Sequence, residues 1–126
     1  MIDIREVSTQ ALAYLGDCVL EMQVREHLVG KGLSTSGHLN EAALSFVRAS
    51  AQAQAMKRML PVLSEEEAAY FRRGRNLGHS SVPKHATVSD YRTATGMEAL
   101  FGFLHLSGRT ERIVELFTLA YLKSEP

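Results

Sequence analysis

Residues 12–21 read LAYLGDCVLE, an apolar run with a glycine, an aspartate and a glutamate set into it. Wound as a helix, the run puts Leu12, Leu15, Val19 and Met22 on a 3,4,3 core stripe. The neighbours of Asp17 three and four positions away are Ala13, Tyr14, Leu20 and Glu21, with Val24 one turn further. A helix apolar on nearly every side is expected to be central, so Asp17 and Glu21 become acids on a largely buried element, with Gly16 allowing close approach beside them. Cys18 is the single cysteine and excludes an internal disulfide. With no histidine at helical spacing from it, Cys18 reads as a small buried hydrophobe rather than a nucleophile.

The same oddity recurs in MEALFGFLHL, residues 97–106. On a helix Glu98 has Ala94 and Thr95 before it and Phe101, Gly102 and His105 after it. A buried, unpaired carboxylate costs several kcal/mol or stays protonated, so it needs a cation, a hydrogen-bond network or a metal. Three readings stand side by side: a structural ion pair, an acid at the edge of a dimer surface, and a metal or acid–base site. Two such acids on different helices favour the metal, because convergent carboxylates repel unless something positive lies between them. Mg²⁺ suits oxygen ligands and is often held by one or two carboxylates plus substrate phosphates. Zinc is disfavoured, since His27, His38, His79, His85 and His105 show neither HExxH nor paired CxxC spacing.

Outward from these two runs, punctuation sets the architecture. The prolines are Pro61, Pro83 and Pro126, and the glycines gather at 30–37, 74–78 and 102–108, leaving long proline-free blocks. A first helix is expected from Ser8 or Thr9 to about Val29, stopped by Gly30 and Gly32. A second block runs from the 34–37 turn to Leu60, with room for a break near Ser50. Ser64 caps a third, with Glu67 as its capping-box acid, ending near Gly74. Residues 74–87 read as a loop. A fourth helix begins at Val88 or Ser89 and reaches Leu106, and a fifth covers 110–123. The expected fold class is all-α, five to six helices in a single domain spanning 1–126.

Of the 126 residues, 45% are hydrophobic and 22% charged, and 14 basic residues balance 14 acidic ones. Bulk charge therefore recruits neither nucleic acid nor membrane, and any such partner must be argued from clustering. The start, MIDIREVSTQ, carries acids and no apolar stretch, and no run approaches the roughly 20 apolar residues of a span. A cytoplasmic, soluble protein without a membrane partner is expected. Clustering does occur: Arg72, Arg73, Arg75, Lys84 and Arg92 face the single acid Asp90, a net +4 window in a neutral chain. It reads either as a solvated, dipole-favoured helix end or as a phosphate grip. For the grip, Gly74, Asn76, Ser80 and Ser81 would add donors and exposed backbone amides. Few aromatics accompany it, which suits a duplex backbone better than stacked single strands.

LAYLGDCVLE, RRGRN at 72–76, VPK at 82–84 and YRTATGMEALFGFLHL at 91–106 closely resemble mini-ribonuclease III, the short bacterial relative of ribonuclease III. The resemblance spans about residues 9–122. It implies the ribonuclease III catalytic (endonuclease) fold, working as a homodimer without a double-stranded RNA-binding domain. It also implies Mg²⁺-dependent endonucleolytic cleavage of double-stranded RNA, with processing of both ends of 23S rRNA precursor as the group's role. By motif, Asp17 of the GD pair and Glu98 of EAL are the implied catalytic and metal-binding residues. Glu21, one turn from Asp17, is either a further ligand, a water-mediated partner or a partner of Arg25 or another base. Arg72, Arg73, Arg75, Asn76 and Lys84 would hold the RNA, by contacts that weaken with salt.

Full-length ribonuclease III places further acids where this chain has Gln10 and Thr95, so two of four remain. A lysine frequent before AQA in the group is here Ser50, with Arg48 nearby. The rival reading is a non-catalytic structured-RNA-binding module with the same fold; a helical protein-interaction domain would leave both the buried acids and the basic window without a purpose.

Overall fold

The structure is a computed structural model that describes residues 2–78 and 84–123. Among them are six α-helices and no strand: α1 (Thr9–Gly30), α2 (Ser36–Val47), α3 (Ala49–Met59), α4 (Glu65–Arg75), α5 (Val88–Leu106) and α6 (Thr110–Phe117). Short 3-10 turns cover Ile4–Glu6 and Leu60–Val62, and a π-type turn, Thr118–Leu122, prolongs α6. Hydroxyl caps open four helices, as Ser8, Thr35, Ser64 and Thr87 accept from the backbone N–H groups of Ala11, His38, Glu67 and Asp90. Ser64 and Glu67 close the expected capping box. Of the expected 74–87 loop, residues 79–83 lie outside the described residues, and with them His79, Ser80, Ser81 and Pro83.

The central helix is α5 rather than α1. It buries residues around its whole circumference, including Thr95, Gly96, Met97, Ala99, Leu100, Phe101 and Leu104, and α1, α3 and α4 pack around it. Helix α1 instead buries one stripe, Leu12, Ala13, Gly16, Leu20, Val24 and Leu28. The stripe expected from the sequence is displaced: Met22 is exposed, and Leu15 and Val19 are half-buried. Cys18 is exposed as well, not the core filler its composition suggested.

Glycine decides which face of α1 turns inward. A Cβ on Gly16 would fall far inside contact distance of the Glu98 carbonyl oxygen and 2.8 Å from the Gly102 nitrogen. One on Gly102 would collide with the Leu12 carbonyl. The pairings of 16 with 98 and 12 with 102 run in opposite chain directions, so α1 and α5 cross antiparallel, backbone against backbone. Helix α4 repeats the device, since a Cβ on Gly74 would stand 2.7 Å from Ala99 Cβ and one on Gly96 2.7 Å from the Phe71 carbonyl oxygen.

The second block breaks at Arg48, two residues before Ser50, where ψ of 147° takes the chain out of the helix. Gln52 tightens the corner by donating its Nε2–H to the carbonyl of Val47, the last residue of α2, at 2.9 Å. Behind it His27, Phe46, Phe117 and Tyr121 form an aromatic cluster with centroid separations from 5.0 to 6.4 Å.

Gly16→Ala is expected to destabilise the fold by at least about 1–3 kcal/mol, as overpacking does. Gly30→Ala, where an added Cβ meets nothing within 4 Å, should leave stability nearly unchanged. Urea midpoints of the two variants check this, and equal midpoints would refute the crossing as drawn.

Candidate active site

The α1–α5 crossing brings the two odd acids together. Asp17 follows Gly16 on the rim of the buried face of α1, and Glu98 is the residue whose carbonyl Gly16 meets. Both side chains line one cavity of about 230 Å³, together with Gln10, Tyr14, Tyr91, Thr95, Leu77 and Gly78. The dry aspartate expected from the sequence is in fact exposed, while Glu98 is half-buried. The physical reason is that α1 lies with only one face on the core, leaving Asp17 at the boundary.

Electrostatically the pair is strained. Burial pushes the Glu98 carboxyl up to about 8, the Asp17 charge and its hydrogen bond push the same way, and the Gln52 side chain opposes them. A Glu98 carboxyl raised in this way would release its proton to an arriving cation. The inner-surface donors are oxygen atoms, whereas the only thiol faces outward, so the set fits a hard divalent ion such as Mg²⁺. Among the described residues no group of three or more His, Cys, Asp or Glu converges.

Two of the positions where longer enzymes carry acids, Gln10 and Thr95, line this same cavity. Thr95 is buried and donates its Oγ1–H to the Tyr91 carbonyl at 3.0 Å. Glu21 does not join the pair. Its carboxylate meets Arg25 at 2.8 Å, and it borders a different cavity, between α1 and α2.

The basic window divides into four settings. Arg75 and Asn76, at the end of α4, share a cleft of about 440 Å³ with Ser89, Arg92 and Thr93 at the start of α5. Arg73 is held back, stacking 4.8 Å over the Tyr70 ring and donating to Thr9 Oγ1 at 3.2 Å. Arg72 is exposed. Lys84 lines a separate groove with Arg48, Ser50, His85 and Asp90, so the position next to Arg48 faces the loop rather than the acids. The reading from sequence missed Gln52, the buried amide of α3 that bonds the end of α2. Its signal was present: Gln52 heads the buried stripe Ala55, Met56 and Met59, and a polar residue there demands a partner.

The family model described as "Ribonuclease III domain" matches residues 10–109, and the chain belongs to that family. It is 46% identical over 110 residues to the Mini-ribonuclease 3 of Brevibacillus brevis, covering 87% of this chain and 82% of that one. It is 39% identical over 127 residues to that of Streptococcus pneumoniae, covering 99% of both. A crystal structure of a Fusobacterium nucleatum protein superimposes with a TM-score of 0.83 at 30% identity, covering 94% of each chain. The chain is thus an endoribonuclease of the ribonuclease III type, in a family that acts on double-stranded RNA and generally depends on divalent metal. No helix among the described residues is long and apolar enough to cross a membrane.

Unfolded Glu98 titrates near 4.5 and the folded, metal-free residue near 8, so the folded state keeps the proton longer. Its contribution to stability is fully present below about pH 4.5 and is lost as pH rises through 8. Glu98→Gln escapes that loss, so its melting temperature should gain on the metal-free wild type progressively from pH 5 to 8. A constant difference across that window would contradict the strained pair.

Proposed function

We propose that this chain is a Mg²⁺-dependent endonuclease that acts as a cytoplasmic homodimer on double-stranded RNA. Its target is the 23S rRNA precursor, processed at the 5′ and 3′ ends, and residues 1–126 form one catalytic domain. The observation that carries the reading is the meeting of Asp17 and Glu98, two oxygen ligands on different helices that repel each other until a cation joins them. The ribosomal target rests on the resemblance of the LAYLGD, RRGRN and MEALFG motifs to mini-ribonuclease III.

Asp17 and Glu98 hold the ion, with Glu21 engaged by Arg25. An ion held by these two carboxylates would supply the Lewis acidity that activates water for in-line attack on a backbone phosphate. Glu98 must give up its proton first, so ligation and deprotonation are coupled. Asp17, at the open edge, faces the incoming phosphate, while Glu98 anchors the site from the core helix. Arg75, Asn76 and Arg92 offer donors to neighbouring phosphates, Arg72 and Lys84 extend the positive rim, and Arg73 adds charge from a fixed position. The bond to the 3′-oxygen breaks, leaving 5′-phosphate and 3′-hydroxyl ends. Selectivity comes from duplex shape more than sequence.

The dimer reading rests on the outer face of α1. Tyr14 is 85% exposed and Met22 55%, with Cys18 exposed between them, an apolar row immediately beside Asp17. A twofold axis there would set two sites side by side, one for each strand.

Two measurements test the proposal. A long RNA duplex is incubated with Mg²⁺ or with chelator: the wild type should cut only with metal. Asp17→Asn and Glu98→Gln should cut more than about 100-fold more slowly, beyond the cost of losing an outer partner of a metal ligand, while still binding the duplex. Undiminished cutting in chelator, or by Asp17→Asn, would sink the metal site. Separately, Tyr14→Glu should sediment as a monomer where the wild type sediments as a dimer; an unchanged mass would refute the α1 interface.

A further inference from the structure

Arg5, Arg25, Arg109 and Arg112 each lie against a carboxylate, of Asp3, Glu21, Glu66 and Glu67, at 2.8 to 3.1 Å. Arg73, in the last turn of α4, is pinned without one. Its Nε–H donates to the Thr9 hydroxyl at 3.2 Å, and its guanidinium lies 4.8 Å over the Tyr70 ring. That ring is itself stacked on Phe103 of α5, with centroids 3.9 Å apart. Among the described residues no carboxylate pairs with Arg73, so the side chain is held while its charge stays uncompensated. The Thr9 bond takes one of five guanidinium N–H groups, and the four on Nη1 and Nη2 remain for a partner that accepts in a fork. A tie between helices needs no cation, since an amide could bond the same hydroxyl and leave no charge behind.

The bond also lies beside the acids. Thr9 precedes Gln10, and Leu77 and Gly78 follow Arg73 by four and five positions; Gln10, Leu77 and Gly78 line the cavity of Asp17 and Glu98. Arg73 and Thr9 thus join two of the chain segments that wall this cavity, the first turn of α1 and the segment leaving α4. We propose that Thr9 is a positioning residue: its hydroxyl, with the Tyr70 ring, fixes the Arg73 guanidinium so that both terminal nitrogens fork onto an RNA phosphate flanking the Asp17–Glu98 cavity. This rests on the reading of Arg73 as an RNA-holding residue. A phosphate is the acceptor that suits the fork, being anionic and carrying paired oxygens. A guanidinium already held by a hydroxyl and a ring has little side-chain freedom left to lose when that phosphate arrives. Loss of the Thr9 hydroxyl would leave the charge in place and the fork unaimed.

The test measures binding of a labelled RNA duplex to the full chain by fluorescence anisotropy, in chelator so that the metal site does not enter, beside the melting temperature of each variant. Arg73→Ala should bind roughly tenfold more weakly, as loss of a charge-assisted hydrogen bond does. Thr9→Val, which keeps the shape and removes the hydroxyl, should melt within a few degrees of wild type and lose a good part of the same affinity, and Thr9→Ser should restore it. The double variant Thr9→Val/Arg73→Ala should bind no more weakly than Arg73→Ala alone, because Thr9 acts only through Arg73. A second arm stands even if Thr9→Val does not fold: Arg73→Lys keeps the charge but loses both the Nε bond and the fork, and should bind nearly as weakly as Arg73→Ala. Wild-type affinity in a folded Thr9→Val, additive losses in the double variant, or wild-type affinity in Arg73→Lys would overturn the inference. Wild-type affinity in Arg73→Ala would instead overturn the RNA-holding reading beneath it, and the inference with it.

Discussion

The structure depends on one contact that no side chain makes. Where α1 crosses α5, Gly16 lies against the Glu98 carbonyl and Gly102 against that of Leu12, and a methyl at either position would force the helices apart. The carboxylates of Asp17 and Glu98 are neighbours as a consequence of that backbone proximity: one follows the glycine and the other owns the carbonyl it meets. Site geometry is thereby tied to the main chain of two long helices, which is stiffer than any rotamer. The matching approach of Gly74 and Gly96 between α4 and α5 brings the basic end of α4 to the same central helix. Fold and site are then products of the same packing.

Two buried acids in this chain illustrate opposite solutions to the same electrostatic problem. Glu67 is 3% exposed, yet Arg112 meets it with two nitrogens at 2.8 and 2.9 Å and the Ser64 N–H donates at 2.8 Å. The Arg112 guanidinium outweighs burial and holds the Glu67 carboxyl below its usual value. Glu98 is less buried but faces another acid, and its carboxyl is pushed up. The acid paired with a guanidinium closes a joint between α4 and α6, whereas the acid set beside another acid is the one a cation would relieve. The contrast separates structure from site more sharply than burial does.

The sequence discloses elements well and faces poorly. Caps at Ser8 and Ser64, with glycine and proline stops, delimit α1 and α4 because those signals are local. The α2–α3 corner at Arg48 has no proline or glycine, and only Gln52 reaching back to Val47 marks it. The buried stripe of α1 was misjudged because Leu12, Leu15, Val19 and Met22 satisfy helical spacing as well as the true stripe does. The choice between them lies in Gly16 and in α5, more than 80 residues away in sequence. Asp17 and Glu98 stood out as acids in apolar runs, but Asp17 proved exposed for the same reason. Arg112 as the partner of Glu67 lies beyond any local signal.

This rotation of α1 has a functional sense. With Leu12, Gly16 and Leu20 inward, the opposite row of Tyr14, Cys18 and Met22 is left in water, an arrangement that costs solubility unless the row is covered. Asp17 sits at the seam between the two faces, and Tyr14 both belongs to the outer row and lines the cavity of the acids. Any surface that covers the row therefore also borders the carboxylates and excludes water from one side of them. Inner face, outer face and site are carried by three successive turns of one helix, so a shift of α1 by a fraction of its pitch would be felt at all three together.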